Sequence, residues 1–426
     1  MKNIFIVISI FYLAVAAIPA AASDFPNENI CYSSNIKTVQ LYKLGFELSS
    51  PVLQLNSGDR LSLDFDDLDN ESRAYKYTIR HCEADWSTSV DLRPSEYING
   101  YTEENIRDFQ YSINTTVRYV HYNAVFPTTD MSPKISGNYL LIVYIDDPAE
   151  PVFTRRFMVA EVSPVTIEGN VSQSSKIEDH TTRQQIDFVI RLNSQRVLDL
   201  KREIKVVVQQ DERWDNALRN IYPRFVRGDE LDYRYDENNT FNGGSPYRFF
   251  DIKSLIYQTE RINKIYYDTL NQVTLLEDQP RTYKNYTYNK DINGRFLIKN
   301  EVNATNFNTE SDYALVHFYL AFPVMFTDGD FYLMGALTNW RMDNDSRMEF
   351  NPTTRRYEKN LYLKQGYYNY IYVMLKKGKT VGDETMAEGN HWETPHIYTI
   401  YVYFRPSGEQ YDRLIAVQSI NSIEQK

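Results

Sequence analysis

Cysteine is almost missing from this chain: Cys31 and Cys82 are the two in 426 residues. That count excludes a small disulfide-stapled scaffold, and the lack of any CxxC spacing excludes zinc-ribbon and thioredoxin-like motifs. Glycine and proline are scarce at 16 each, which excludes collagenous and low-complexity chains. The six histidines, His81, His121, His180, His317, His391 and His396, never adopt the His-Glu-x-x-His spacing of a zinc hydrolase, and read as core or surface residues. Beyond the N-terminal segment no apolar run approaches the ~18 residues of a membrane-spanning helix, so no membrane insertion is expected. Positive charge is in deficit, 46 Lys+Arg against 57 Asp+Glu for a net charge of -11. Nucleic acid and anionic lipid, both bound through cations, are therefore poor partners.

Aromatic side chains are what the chain has in abundance, with 35 Tyr and 22 Phe. Tyrosine suits half-buried pleated surfaces and partner contacts more than helices. At ~150 residues per domain the length predicts two or three domains. Lys2, the apolar run from Ile4 to Ile18 and the small residues Ala20, Ala21 and Ala22 read as a secretory signal over residues 1–22. The mature protein is thus expected to be exported and soluble. In an oxidising compartment Cys31 and Cys82 could pair, a bridge worth about 4 kcal/mol in the chain-entropy model; two free buried thiols are the alternative.

Strict alternation marks the strands. Leu61, Leu63 and Phe65 share one face, as do Tyr75, Tyr77, Ile79 and His81, then Tyr139, Leu141, Val143 and Ile145, then Phe153, Arg155, Phe157 and Val159. Turn signals such as Asn56-Ser57-Gly58-Asp59 separate them at sandwich-like intervals. The fold class is all-β: tandem β-sandwiches, immunoglobulin-like or carbohydrate-binding-module-like. An N-terminal sandwich is expected over 23–160, with one helical turn near Glu103 to Asp108. A middle β-rich domain spans 161–310, and a C-terminal sandwich spans 311–426, closed by Tyr398 to Phe404 and Leu414 to Val417.

Chemistry leaves little trace. No Gly-x-Ser-x-Gly occurs, and Gly243-Gly244-Ser245-Pro246 places proline where an oxyanion hole would use a backbone donor. Asp64, Asp66, Asp67, Asp69 and Glu71 lack the EF-hand pattern and read as a solvated loop at a strand end. No catalytic residue, metal site or cofactor is assigned, and the chain is read as a non-enzyme. In the third series, Tyr332-Leu333-Met334-Gly335 leading to Asn339-Trp340 resembles glycogen-binding-type sandwiches. Trp340 could stack on a sugar there, or serve as a structural turn.

Several strings fall in an order that matches one family: His81-Cys82-Glu83-Ala84-Asp85-Trp86, Glu96-Tyr97-Ile98-Asn99-Gly100-Tyr101, Tyr119-Val120-His121-Tyr122 and Ser136-Gly137-Asn138-Tyr139. Arg155-Arg156-Phe157, Tyr247-Arg248-Phe249-Phe250-Asp251-Ile252-Lys253-Ser254 and Tyr401-Val402-Tyr403-Phe404-Arg405 follow. Together they resemble the plug protein family of the type IX secretion system. The resemblance implies a periplasmic, non-enzymatic protein whose partner is the giant outer-membrane translocon barrel. It implies that the protein reversibly closes the periplasmic opening of that barrel and limits leakage. The residues that contact the translocon are not legible in the sequence. The alternative expectation is a secreted carbohydrate-binding protein acting through Trp340; a weaker one is a glycan-processing enzyme.

Overall fold

The structure, a computed structural model, describes residues 25–193, 195–301 and 305–423; the expected signal peptide lies outside the described residues. Strands dominate, and they pair into three two-sheet sandwiches. In the first, one sheet runs in the order Ile30–Cys31, Phe153–Ala160, Gly137–Tyr144, Lys76–Cys82, Glu104–Asn105, with Val52–Gln54 parallel to Phe153–Ala160. Its partner sheet runs Ile36–Lys43, Leu61–Asp67, Val120–Phe126, Asp108–Tyr111. The alternation predicted from sequence fills the space between them: Leu61, Leu63 and Phe65 meet Tyr77, Ile79, Tyr139, Leu141 and Phe157. Each such fully buried side chain stabilises the fold by about 1.5–3 kcal/mol. The helical turn expected near Glu103 forms instead at Pro94–Tyr97; Glu104–Asn105 and Asp108–Tyr111 are short strands.

Gly137–Tyr144 is buried along its whole length, a pattern alternation alone does not explain. Its second face carries Leu140, Ile142 and Tyr144, which join Met158, Val207, Tyr401, Tyr403 and Leu414 in a separate core. Strands with two buried faces need a second layer. Here that layer is the outer face of the middle sandwich.

The middle sandwich has one sheet ordered Thr166–Gln173, Arg183–Arg191, Glu230–Asp232, Phe225–Arg227, with Thr240–Asn242 also on Arg183–Arg191. The other is ordered Arg213–Leu218, Ile204–Gln210, Ile397–Phe404, Arg413–Asn421. The C-terminal hairpin, expected to close the third sandwich, therefore completes the second. Ile204 pairs with Phe404 and Gln210 with Tyr398, and Tyr398, Ile400, Val402 and Phe404 lie in the same core as Ile186, Phe188 and Val206. The third sandwich is an insertion between Asn242 and Ile397, so Arg248–Asp251, Ile262–Asp268, Leu270–Leu275 and Phe296–Ile298 belong to it rather than to a middle domain ending at residue 310. Alternation finds strands but carries no label for their partners. Ile397–Phe404 is apolar on both faces, so either neighbour could have claimed it.

Candidate interaction site: a locked junction and three exposed edges

The sandwiches meet through buried charge as well as apolar contact. On Leu61–Asp67 the face opposite the core carries Ser62, Asp64 and Asp66, all buried. Asp66 accepts hydrogen bonds from Lys364 Nζ at 2.6 Å, Tyr313 OH at 2.6 Å and His121 Nδ1 at 2.8 Å. Lys364 and Tyr313 come from the third sandwich, and the ammonium also sits 4.2 Å over the Tyr119 ring. Burial draws the Lys364 pKa below the ordinary lysine range, with Asp66 opposing it. Burial alone would push Asp66 up, yet the Lys364 charge and His121 hold its carboxyl below the usual range. His121 is raised: burial opposes its charge, and the bonds to Asp64 and Asp66 outweigh that. Of the acidic segment, Asp64, Asp66 and Asp67 are therefore buried strand residues, while Asp69 and Glu71 lie in the solvated loop expected at the strand end. Asp67 is fully buried as well, bonded to Tyr75 OH at 2.8 Å and Arg73 at 3.1 Å. Among the described residues no cluster of three or more His, Cys, Asp or Glu has metal-holding geometry.

The first and second sandwiches are latched by the strings that carry the family resemblance. Glu83 pairs with Arg405, Asp412 accepts from the Ala84 amide at 3.0 Å, and Tyr403 OH donates to Asn138 at 2.8 Å. Trp86 packs edge-on to Trp214 at 5.2 Å, with the Arg156 guanidinium 4.3 Å over its face. Gly137, at φ 141°, lies under His81; a Cβ there would sit 2.3 Å from the imidazole Nε2. His81 Nε2 bonds the Ser136 carbonyl at 3.1 Å and Nδ1 the Ser89 hydroxyl at 2.8 Å. Burial lowers its pKa to about 4, so the imidazole is neutral at pH 7.

Between the second and third sandwiches, the buried Arg213 reaches the buried Glu384 at 2.9 Å, and it also pairs with Asp215 on its own strand at 2.8 Å. His396 bonds Asp211 through Nδ1 and donates to the Gly243 carbonyl at 2.7 Å through Nε2. Removing one partner of a buried pair costs about 3–5 kcal/mol, whereas an apolar replacement of the whole pair is often neutral. The network therefore fixes relative orientation more than it adds stability.

Trp340 belongs to this junction. Gly294 lies beneath its ring at φ 77°, where a Cβ would approach the indole to 2.2 Å, and Tyr247 packs edge-on at 6.2 Å. Neighbouring Asn339 accepts from Arg155 of the first sandwich at 2.9 Å. Trp340 thus sits half-buried in an inter-sandwich turn. Cys31 and Cys82 are both free. Cys31 pairs with Phe153 at one edge, and Cys82 with Asn138 two strands further along the sheet. Three strand spacings make roughly 14 Å, against the ~7 Å Cα limit for a bridge. The disulfide therefore does not form, and burial pushes the Cys82 thiol up to about 12.

The tyrosine surplus is mostly internal. Tyrosines are the largest fully buried side chains, Tyr139, Tyr313, Tyr370 and Tyr398 among them. Their hydroxyls are bonded, Tyr370 and Tyr372 sharing Asp278 at 2.6 and 2.9 Å. Of the exposed tyrosines most lie in loops, and Tyr111, Tyr266 and Tyr267 lie on edge strands. Each sandwich ends in a strand with exposed apolar side chains: Asp108–Tyr111 with Phe109 and Tyr111, Phe225–Arg227 with Phe225 and Val226, and Ile262–Asp268 with Tyr266 and Tyr267. An edge strand offers unpaired backbone groups to another chain. None of these residues could be singled out by sequence, because the same aromatic alternation marks core and edge.

Residues 36–161, which span most of the first sandwich, match the type 9 secretion system plug protein first domain. Over those residues the chain carries a type 9 secretion system plug protein domain. A crystal structure of a hypothetical protein from Parabacteroides merdae is 36% identical, with a TM-score of 0.90, covering 93% of this chain and 100% of that one. The two chains share one fold over nearly their whole length. Alignments to an alkylpurine DNA glycosylase of Pseudomonas fluorescens (29% of this chain and 30% of that one, 11% identity) and a serine-rich repeat adhesin of Streptococcus agalactiae (91% and 97%, 9% identity) have TM-scores of 0.17 and 0.13 and carry no argument. No curated protein matches the chain.

Proposed function

We propose that the protein is a periplasmic, non-enzymatic plug that reversibly closes the periplasmic opening of the type IX outer-membrane translocon barrel. The observation that supports this most is the junction: buried ion pairs and a shared apolar core join three sandwiches into one block, in a chain that carries a plug protein domain. At ~400 residues such a block has a radius of gyration near 21 Å and is roughly 55 Å across. An object of that size stops a wide pore by filling it, which a loop of the same composition cannot do. The three edge strands supply the contact chemistry. Exposed aromatics beside open backbone groups suit strand addition onto a barrel rim, an attachment that can be released.

Deleting the gene should make cells more sensitive to bulky antibiotics while export of type IX cargo continues at least in part. A normal permeability barrier around an assembled translocon would overturn the reading. Co-purification with the translocon should fall in a Tyr266→Ser, Tyr267→Ser variant that retains its fold.

A further inference from the structure

A cavity of about 120 Å³ lies where all three sandwiches meet. Its wall carries Arg155 and Arg156 from the first, Gln209 and Glu212 from the second, and Arg295 from the third. The polar groups there are unevenly satisfied. Arg295 pairs with Glu212 at 2.9 Å, but its Nε has no partner, and Gln209, whose Oε1 accepts from Tyr401 OH, leaves Nε2 unpartnered. Gln209 is 2% exposed. Both orphaned atoms are donors, and an unmet buried donor costs about 1–3 kcal/mol.

Charge points the same way. Arg155 is 5% exposed, and its guanidinium bonds the Thr154 carbonyl at 2.8 Å and the neutral Asn339 side chain at 2.9 Å. Arg156 gives Nε to the Asn27 carbonyl at 2.6 Å and stacks between Trp86 and Trp214. Neither forms an ion pair among the described residues. The cavity wall thus holds three guanidiniums against two carboxylates, Glu212 and the exposed Glu47, in a protein whose overall charge is -11.

We propose that this cavity binds one small oxyanion, held by Gln209, Arg295 and Arg156 and so bonded to all three sandwiches at once. The volume is slightly below the roughly 150 Å³ that accepts benzene, enough for an anion of four or five heavy atoms. A phosphate or sulfate and a short carboxylate share the required chemistry. This site is independent of the plug reading, and its test needs only the purified protein.

In a chloride-only buffer, calorimetric melting is followed as sodium phosphate or sodium acetate is added, against sodium chloride at matched ionic strength. At ten times the dissociation constant the melting temperature should rise about 2 °C above the chloride control and saturate. A rise with phosphate alone assigns a tetrahedral anion, and with acetate alone a carboxylate. Arg156→Gln and Arg295→Gln should abolish the increment. Should those variants fail to fold, wild-type crystals soaked in selenate should show an anomalous peak within hydrogen-bond distance of Gln209 Nε2. Identical behaviour in phosphate, acetate and chloride, or ordered water alone in the cavity both of crystals soaked in selenate and of crystals soaked in acetate, overturns the proposal.

Discussion

Trp86 and Trp340 occupy left-handed backbone, at φ 70° and 58°, a region costing a non-glycine residue roughly 1–2 kcal/mol. Both sit where sandwiches meet, and their packing offsets that cost. Trp340→Ala should destabilise the protein by about 2–3 kcal/mol in urea unfolding. Retention on immobilised glycans should not change; sugar binding that disappears with the indole would restore the carbohydrate-binding alternative. His81 makes a second residue-scale case. Its folded pKa is depressed from 6.5 to about 4, so between those values the unfolded chain holds a proton that the folded one refuses. Stability from this group is fully present above pH 6.5 and is lost as pH falls toward 4, by about 3 kcal/mol. The stability advantage of wild type over His81→Gln should therefore shrink between pH 7 and pH 4.5. An advantage constant across that range would contradict a buried neutral imidazole.

Among the elements, the insertion is the least expected. Its ends are close: His396 donates to the Gly243 carbonyl at 2.7 Å, and the His391 amide to that of Gly244 at 2.8 Å. Joining Asn242 to His396 through a short glycine linker should leave a folded two-sandwich protein, with Asp66 now in water. Far-UV and near-UV circular dichroism check this, and a loss of near-UV signal would show that the third sandwich is needed for the others to form. Strand positions were legible in sequence because one face of each strand is apolar and turns are polar. Leu61, Leu63 and Phe65 point inward as their spacing requires. Partnership was not legible. Tyr401 and Tyr403 look like any aromatic pair, yet they face the first sandwich while Ile400 and Val402 face the second. The junction was hidden for a related reason: Asp64, Asp66 and Lys364 are charged, and charge ordinarily marks solvent. Asp64 and Asp66 were read as loop residues because of their charge, although they alternate with Leu63 and Phe65 on one strand.

At the scale of the molecule, shared cores and buried ion pairs predict one cooperative unit. Scanning calorimetry should show a single transition whose calorimetric and van't Hoff enthalpies agree. Separate transitions for each sandwich would mean that the junction is too weak for a rigid plug. Lys364→Met should lower the transition by leaving the buried Asp66 without its ammonium partner, with only Tyr313 and His121 bonded to it, at a cost of about 3 kcal/mol, while Asp66→Asn in the same chain should restore part of it.

Because Ile397–Phe404 and Arg413–Asn421 complete a sheet begun at Ile204, a chain leaving the ribosome cannot finish its folds in the order it is made. The inserted sandwich has all its strands before the middle one does. Until the last thirty or so residues appear, Leu140, Ile142 and Met158 lack the cover of Tyr401, Tyr403 and Leu414, so a nascent or truncated chain exposes a greasy face that quality-control factors can grip.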